Sequence, residues 1–324
     1  MPGGARIVGA TDAAKAFVEQ WLSPDGFITA HTSGSTGPPK EIHLAKEDMR
    51  RSARATNSVF GIGPDSVLAL PLSVDYIAGK MMIVRAIEAG CTLHILNPSS
   101  DPSGELEAIG VIDLLAIVPA QIRGLVDSGA LFDVVNVIVG GAPMTESQEN
   151  ALVKAPCNCF ATYGMTETCS HVALRRVGCG EFAAMPGISF TADSRGCLVV
   201  NAPTFTFGTL VTNDSVELID THTFRWLGRA DNVINSGGVK IHPEEIEKEL
   251  ALFMRGRAFY VTGRPSEKWG TELIAVIEGK PFDPAPTLAA AKAALPAHKA
   301  PKALVFVKKI PRTSSGKIIR GQLS

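Results

Sequence analysis

No sign of charge dominates this chain: 31 Lys and Arg stand against 32 Asp and Glu, leaving a formal net charge of -1. No basic run or charged tail offers a partner to nucleic acid or to an anionic membrane surface. Cysteine is sparse and scattered, six residues in 324. Cys157 and Cys159 lie one residue apart with no second pair at zinc spacing, so free thiols in a reduced, cytoplasmic setting are expected. The opening MPGGARIVGATDAAK lacks the basic segment and apolar run of a secretion signal. The longest apolar runs are too short to span a bilayer. No repeat or low-complexity tract is visible.

What is present is a core-forming composition. Hydrophobic residues make up 45% of the chain, and its length predicts about two domains. Residues 12–22 and 46–60 read as helices, and residues 27–31 as a strand running into a Gly/Ser/Thr loop. Strand-like runs at 67–70, 92–96, 114–118, 134–139 and 158–161 then alternate with helical patterns at 76–88, 119–127 and 145–152. Near-continuous apolar strands alternating with helices predict an α/β fold with a mostly parallel sheet covered on both faces.

The pattern changes near residue 186. Short strands at 188–190, 197–200, 216–219 and 223–226 predict a small antiparallel β subdomain over 186–228. Beyond Arg229 the chain restarts. Asn235-Ser236-Gly237-Gly238 reads as a hairpin turn. Pro243 opens a helix with Glu244 and Glu245 at the positive end of its dipole. Strands near 258–262, 272–277 and 304–307 and a helix near 287–295 complete a compact α+β unit. The expected division is 1–229 for a large N-terminal domain and 230–324 for a smaller C-terminal one.

The most informative stretch is His31-Thr32-Ser33-Gly34-Ser35-Thr36-Gly37-Pro38-Pro39-Lys40. Its glycines let the backbone wrap an anion, its hydroxyls donate to phosphate oxygens, and Lys40 adds a positive charge. It is not a Walker A loop, because two prolines separate Gly37 from Lys40 and Glu41 follows. From composition alone it is a nucleotide triphosphate site or a polar linker.

This stretch resembles the phosphate loop of the acyl-CoA synthetase, peptide-synthetase adenylation domain and luciferase superfamily. Four further segments match in the family's order. Tyr163-Gly164-Met165-Thr166-Glu167-Thr168 resembles the adenine and magnesium motif, and Asn213-Asp214 the segment with the ribose-binding aspartate. The run from Gly228-Arg229-Ala230-Asp231 through Ser236-Gly237-Gly238 to Glu247 resembles the hinge and the start of the C-terminal domain. Pro311-Arg312-Thr313-Ser314-Ser315-Gly316-Lys317 resembles the terminal loop with the catalytic lysine. Within the superfamily, residues 70–82 and 186–198 resemble the o-succinylbenzoate–CoA ligase group of menaquinone synthesis. The chain departs from the pattern twice. The phosphate loop starts at Ser33, where relatives usually have a hundred or more residues before it, and Ser73–Asp75 replaces a segment that often carries a histidine.

The resemblance implies ATP, Mg²⁺ and coenzyme A as ligands and a small carboxylic acid as substrate. The acid attacks the α-phosphorus, pyrophosphate leaves, and CoA then displaces AMP; a carrier protein in place of free CoA is the alternative acceptor. Thr32, Ser33, Gly34, Ser35, Thr36, Gly37 and Lys40 would hold phosphates. Thr166 would contact the α-phosphate and Glu167 the magnesium. Tyr163 with Gly164 would stack on adenine, Gly141, Ala142 and Pro143 would line the adenine and acyl pocket, and Asp214 and Arg229 would hold the ribose. Lys317 would stabilise charge in the first half-reaction. Asp231 would be the hinge, and Gly237 and Gly238 would flank the pantetheine channel. For an acid with a second carboxylate, Arg85 is the first candidate partner and Lys80 the other, with Tyr76 beside them. His171, close behind the adenine motif, is a further candidate for the acyl pocket. Oligomeric state stays open, a homo-oligomer included.

Overall fold

The computed structural model describes residues 4–31, 41–254, 256–267, 270–312 and 318–320. The chain begins with β1 (Arg6–Val8), α1 (Asp12–Leu22), β2 (Phe27–His31), β3 (Glu41–Ala45) and α2 (Lys46–Phe60). It continues with β4 (Val67–Leu70), α3 (Ile77–Ala89), β5 (Thr92–Ile95), α4 (Ser103–Leu106) and β6 (Ile112–Ile117). Next come α5 (Ile122–Ser128), β7 (Val134–Val139), α6 (Glu146–Val153) and β8 (Asn158–Gly164). Strands alone follow: β9 (His171–Arg176), β10 (Phe182–Ala184), β11 (Ser189–Ala192), β12 (Cys197–Ala202), β13 (Gly208–Asp220) and β14 (Thr223–Arg229). The last part holds β15 (Ile234–Ser236), β16 (Val239–Ile241), α7 (Pro243–Ala251), β17 (Phe259–Ser266), β18 (Gly270–Glu278), α8 (Pro284–Ala294) and β19 (Ala303–Val307).

Local chemistry explains the helix ends. Thr11 accepts the Ala14 N–H with its hydroxyl and opens α1. A capping box between Thr145 and Gln148 opens α6. Gly61 and Gly90, both left-handed, close α2 and α3. The expected helix at 119–127 divides into a 3₁₀ turn (Pro119–Gln121) followed by α5. Gln121 accepts the Val118 N–H there through Oε1, which ties the turn to the end of β6.

Strands β1, β5, β4, β6, β7 and β8 are all parallel neighbours in that order. Their side chains alternate between two cores. Leu68, Leu70, Leu114, Ala116 and Ile138 join the core under α1, α2 and α3. Ala69, Leu115, Ile117, Val137 and Val139 join the one under α4, α5 and α6. The sheet is therefore covered on both faces, as the apolar runs predict.

The antiparallel strands do not form a separate sheet. They continue the same one through β9, β10, β14, β13, β12 and β11, giving twelve strands among the described residues. Antiparallel pairing begins at β9, upstream of the expected boundary at 186. Its core is aromatic, with Phe224 packed edge-on against Tyr163 and Phe190 and stacked on Phe182. Asp48, buried in the first turn of α2, accepts the Thr206 N–H at 2.9 Å and fastens this half to the helical layer.

The C-terminal strands β17, β18 and β19 form their own sheet. Val261, Leu273, Ala275 and Ile277 face one core, and Tyr260, Ile274 and Val276 the other. Helix α7 packs against β14. At that contact Gly228 has φ 149°, and an added Cβ would fall 2.4 Å from Glu244 Oε2. No described helix is long and apolar enough to cross a membrane.

Candidate active site

The C-terminal ends of parallel strands are where open α/β sheets bind ligands. Here those ends carry the expected residues. Strand β7 leads into Gly140-Gly141, with Gly141 left-handed at φ 84°. A Cβ on Gly140 would fall 2.7 Å from Thr162 Oγ1 on the neighbouring β8. Gly141 and Pro143 are exposed there and Ala142 is half-buried.

Strand β8 delivers Tyr163 and Gly164 to the same edge. Gly164 is sterically required, since a Cβ would fall 2.3 Å from Ser170 O. The chain then turns tightly through Thr166–Thr168. Thr168 Oγ1 accepts the Met165 N–H at 3.0 Å and donates to Ser170 O at 2.7 Å. Cys169 closes the turn at φ 63°, a left-handed conformation that non-glycine residues rarely adopt. This strained, cross-bonded turn presents Thr166 and Glu167, both half-buried. The Glu167 carboxylate bonds to no other described residue. A free hard oxygen donor suits Mg²⁺, so the residue fits the metal role expected of it.

Tyr163 and Asp214 meet directly. Tyr163 Oη donates to Asp214 Oδ2 at 2.7 Å, and Trp226 Nε1 donates to Asp214 Oδ1 at 3.1 Å. Burial, and then the Asp214 charge, push the Tyr163 phenol well above its ordinary range, so it remains a donor. Asp214 is 7% exposed and lies across the hairpin from Arg229 in the β13–β14 register. Arg229 Nη1 stands 3.9 Å from Asp214 Oδ1, and its Nη2 is 2.7 Å from Asp231 Oδ2. Tyr163, Asp214, Arg229 and Asp231 thus form one connected polar cluster. The Tyr163 ring is also packed edge-on against Phe182 and Phe224.

Arg85 is 2% exposed on α3 and pairs with no carboxylate among the described residues. Its Nη2 donates to Ser170 Oγ at 2.7 Å, its Nη1 lies 3.4 Å from Met82 Sδ, and its Nε has no partner among the described residues. Desolvation lowers its pKa to about 10. Lys80 points elsewhere. Its Nζ donates to Val74 O and Asp75 O at 3.2 Å and lies 5.7 Å from the Phe17 ring centroid. Tyr76 is exposed. Gly237 and Gly238, at φ 57° and 83°, form the β15–β16 turn. Thr32, Ser33, Gly34, Ser35, Thr36, Gly37, Lys40 and Lys317 lie outside the described residues.

Sequence reasoning missed Trp226 and Ser170. Neither belongs to a local motif, and each acts through a contact between distant segments.

The AMP-binding enzyme family matches residues 8–226, and the AMP-binding enzyme C-terminal domain matches residues 245–317. A probable 2-succinylbenzoate–CoA ligase from Mycobacterium tuberculosis is 29% identical, over 100% of this chain and 94% of the relative. An acyl-CoA synthetase (AMP-forming)/AMP-acid ligase II-like protein from Dyadobacter fermentans is similar in structure, with a TM-score of 0.64 and 34% identity. That likeness covers 94% of this chain and 91% of the other. An o-succinylbenzoate CoA synthetase from Bacillus subtilis, solved with its acyl-adenylate intermediate, shares the fold at a TM-score of 0.77 and 22% identity. It is matched over 90% of this chain and 67% of its own.

Proposed function

The chain belongs to the AMP-binding enzyme family, and from that premise we propose that it activates 2-succinylbenzoate with ATP and transfers the acyl group to coenzyme A. The acid oxygen attacks the α-phosphorus of ATP and pyrophosphate leaves. The CoA sulfur then attacks the acyl carbonyl, the acyl–oxygen bond breaks and AMP leaves, with the thiol proton passing to solvent. No enzyme nucleophile is needed, because the mixed anhydride is already activated.

The observation that carries this reading is the Tyr163–Asp214–Arg229 cluster beside the 164–170 turn. Two donors already hold Asp214 rigid, and its remaining lone pairs can accept the two ribose hydroxyls. Arg229 adds a donor at the same place. Thr166 is assigned to the α-phosphate. Charge develops on phosphate oxygens, so fixed donors and cations matter more than a general base. Glu167 would hold Mg²⁺, which when bound neutralises charge on the phosphates. The 32–40 loop is assigned to the phosphates and Lys317 to the α-phosphate and carboxylate oxygens. Asp231 is assigned as the hinge, and Gly237 with Gly238 as the wall of the pantetheine channel.

For the acid itself, the supporting feature is Arg85. A buried guanidinium without a carboxylate partner suits an acid that brings a second carboxylate. Pyrophosphate release with ATP, CoA and 2-succinylbenzoate is expected to exceed release with benzoate or medium-chain acids. Arg85→Ala is expected to raise KM for 2-succinylbenzoate about tenfold or more, the loss of ~1.4 kcal/mol, with KM for ATP within about twofold. Equal effects on both constants would refute the assignment of Arg85. Thioester formation only with a phosphopantetheinyl protein would replace CoA as the acceptor.

A further inference from the structure

Arg85 is held by a directed chain of hydrogen bonds that ends on a different helix. Thr56 Oγ1 on α2 lies 3.0 Å from Ser52 O, an acceptor only, so the hydroxyl hydrogen points there. Thr56 Oγ1 must therefore accept from His171 Nε2, 3.2 Å away. A neutral imidazole that donates from Nε2 has its lone pair on Nδ1. That atom lies 3.4 Å from Ser170 Oγ. Ser170 Oγ accepts from Arg85 Nη2 at 2.7 Å, so its own hydrogen is directed at His171 Nδ1. His171 is neutral, since burial and then the Arg85 charge hold its pKa well below the ordinary value. Every donor in the chain has one acceptor, and each bond fixes the direction of the next.

We infer that Thr56, His171 and Ser170 form a relay that sets the orientation of Arg85, making Thr56 and His171 positioning residues for recognition of the acid's second carboxylate. The inference rests on the role proposed above for Arg85. The relay occupies one Nη2 hydrogen and leaves Nε without a partner among the described residues. A planar guanidinium clamped at one corner can offer a fixed edge to a carboxylate. Without the clamp, the side chain can rotate about its last bonds and the edge is lost. Asn57, beside Thr56, donates from Nδ2 to Arg85 O at 3.0 Å, so the backbone of Arg85 is held independently of the relay. Truncating Thr56 thus acts on the head of Arg85 rather than on its helix.

The test compares two acids that differ in one group: 2-succinylbenzoate, and 4-oxo-4-phenylbutanoate, which lacks the aromatic carboxylate. Thr56→Val and His171→Phe are expected to raise KM for the dicarboxylic acid about three- to tenfold, the range for one buried hydrogen bond. In Thr56→Val, KM for the monocarboxylic acid, KM for ATP and kcat with either acid are expected to stay within about twofold of the native values, while His171→Phe is read through the ratio of the two acids' KM values alone. Thr56→Ser, which restores the hydroxyl, is expected to restore the native KM. Two variants at different positions carry the same expectation, so failure of one to fold leaves the other as the test. Native discrimination between the two acids in both variants overturns the relay. So does a common rise in KM for both acids and ATP. If the native enzyme itself does not distinguish the acids, the role of Arg85 fails and the relay with it. If Arg85→Ala loses the distinction while Thr56→Val keeps it, the relay alone fails.

Discussion

Arg85, proposed above to recognise the acid, illustrates how function and stability can oppose each other. Burial moves its pKa from 12.5 to about 10. The unfolded chain therefore favours the charged form over the folded one, at a cost of about 3 kcal/mol at neutral pH. The penalty is present at every pH below the folded value and fades only between about 10 and 12.5. Arg85→Met removes it while filling similar space. Loss of the charge-assisted bond to Ser170 offsets part of that gain, so a net gain of about 1 kcal/mol should raise the melting temperature of the ligand-free protein by about 2–4 °C, and binding of 2-succinylbenzoate should weaken severely. A fall in melting temperature would mean that the guanidinium stabilises the fold. At this scale the sequence was most readable where a motif is contiguous. Tyr163, Thr166, Glu167, Asp214 and Arg229 were all marked by local pattern. Trp226 was not, because its indole matters only through Asp214, twelve residues away on the partner strand. His171 was noticed, but its bond to Thr56 spans 115 residues and no spacing rule reports it.

At the scale of elements, tight local signals again gave good boundaries. Strand β2 and helices α1 and α2 fall where the sequence places them. Strand β13 shows where local reasoning stops. The sequence places a strand only at 216–219, yet β13 runs from Gly208 to Asp220 straight through Asn213-Asp214. Asp214 is tolerated in mid-strand because Tyr163 and Trp226 satisfy both carboxylate oxygens and a register shift follows at Ser215/Val216. Strand β9 was missed because its buried run Val172–Leu174 lacks alternation. An ion pair anchors α7. Arg320 is bidentate to Glu247, at 2.5 and 2.8 Å, and donates to Val261 O at 2.9 Å. Burial raises the Glu247 pKa, against the lowering effect of Arg320. Removing the guanidinium leaves a half-buried carboxylate without its cation, so Arg320→Met is expected to cost about 1.5–3 kcal/mol. Adding Glu247→Leu should recover much of the loss in a denaturant double-mutant cycle. Additive losses would show that the pair is not coupled.

The whole molecule has cores that do not merge across the C-terminal boundary. The twelve-stranded sheet carries three of them, and the three-stranded sheet is covered by two others. Linked units with separate cores need not unfold together. We therefore expect calorimetry to resolve two transitions, the smaller with an enthalpy of about 60 kcal/mol for a unit of roughly 90 residues. ATP with Mg²⁺ should raise the larger transition more than the smaller. A single sharp transition would show that the units are energetically fused. The sequence predicts two units because composition and periodicity restart after Arg229. It did not show one continuous sheet, since pairing across β8 and β9 is decided by packing that no window of residues contains.

Gly228 gives the join between the units an unusual sensitivity. One hydrogen in place of a methyl group lets helix α7 rest against β14, with Glu244 closing over the gap. The smallest possible enlargement at that position would act as a wedge. It would prop the molecule ajar at the seam without altering any group assigned to nucleotide, acid or thiol. On the hinge role proposed for Asp231, turnover would then be throttled from a position that carries no chemistry at all.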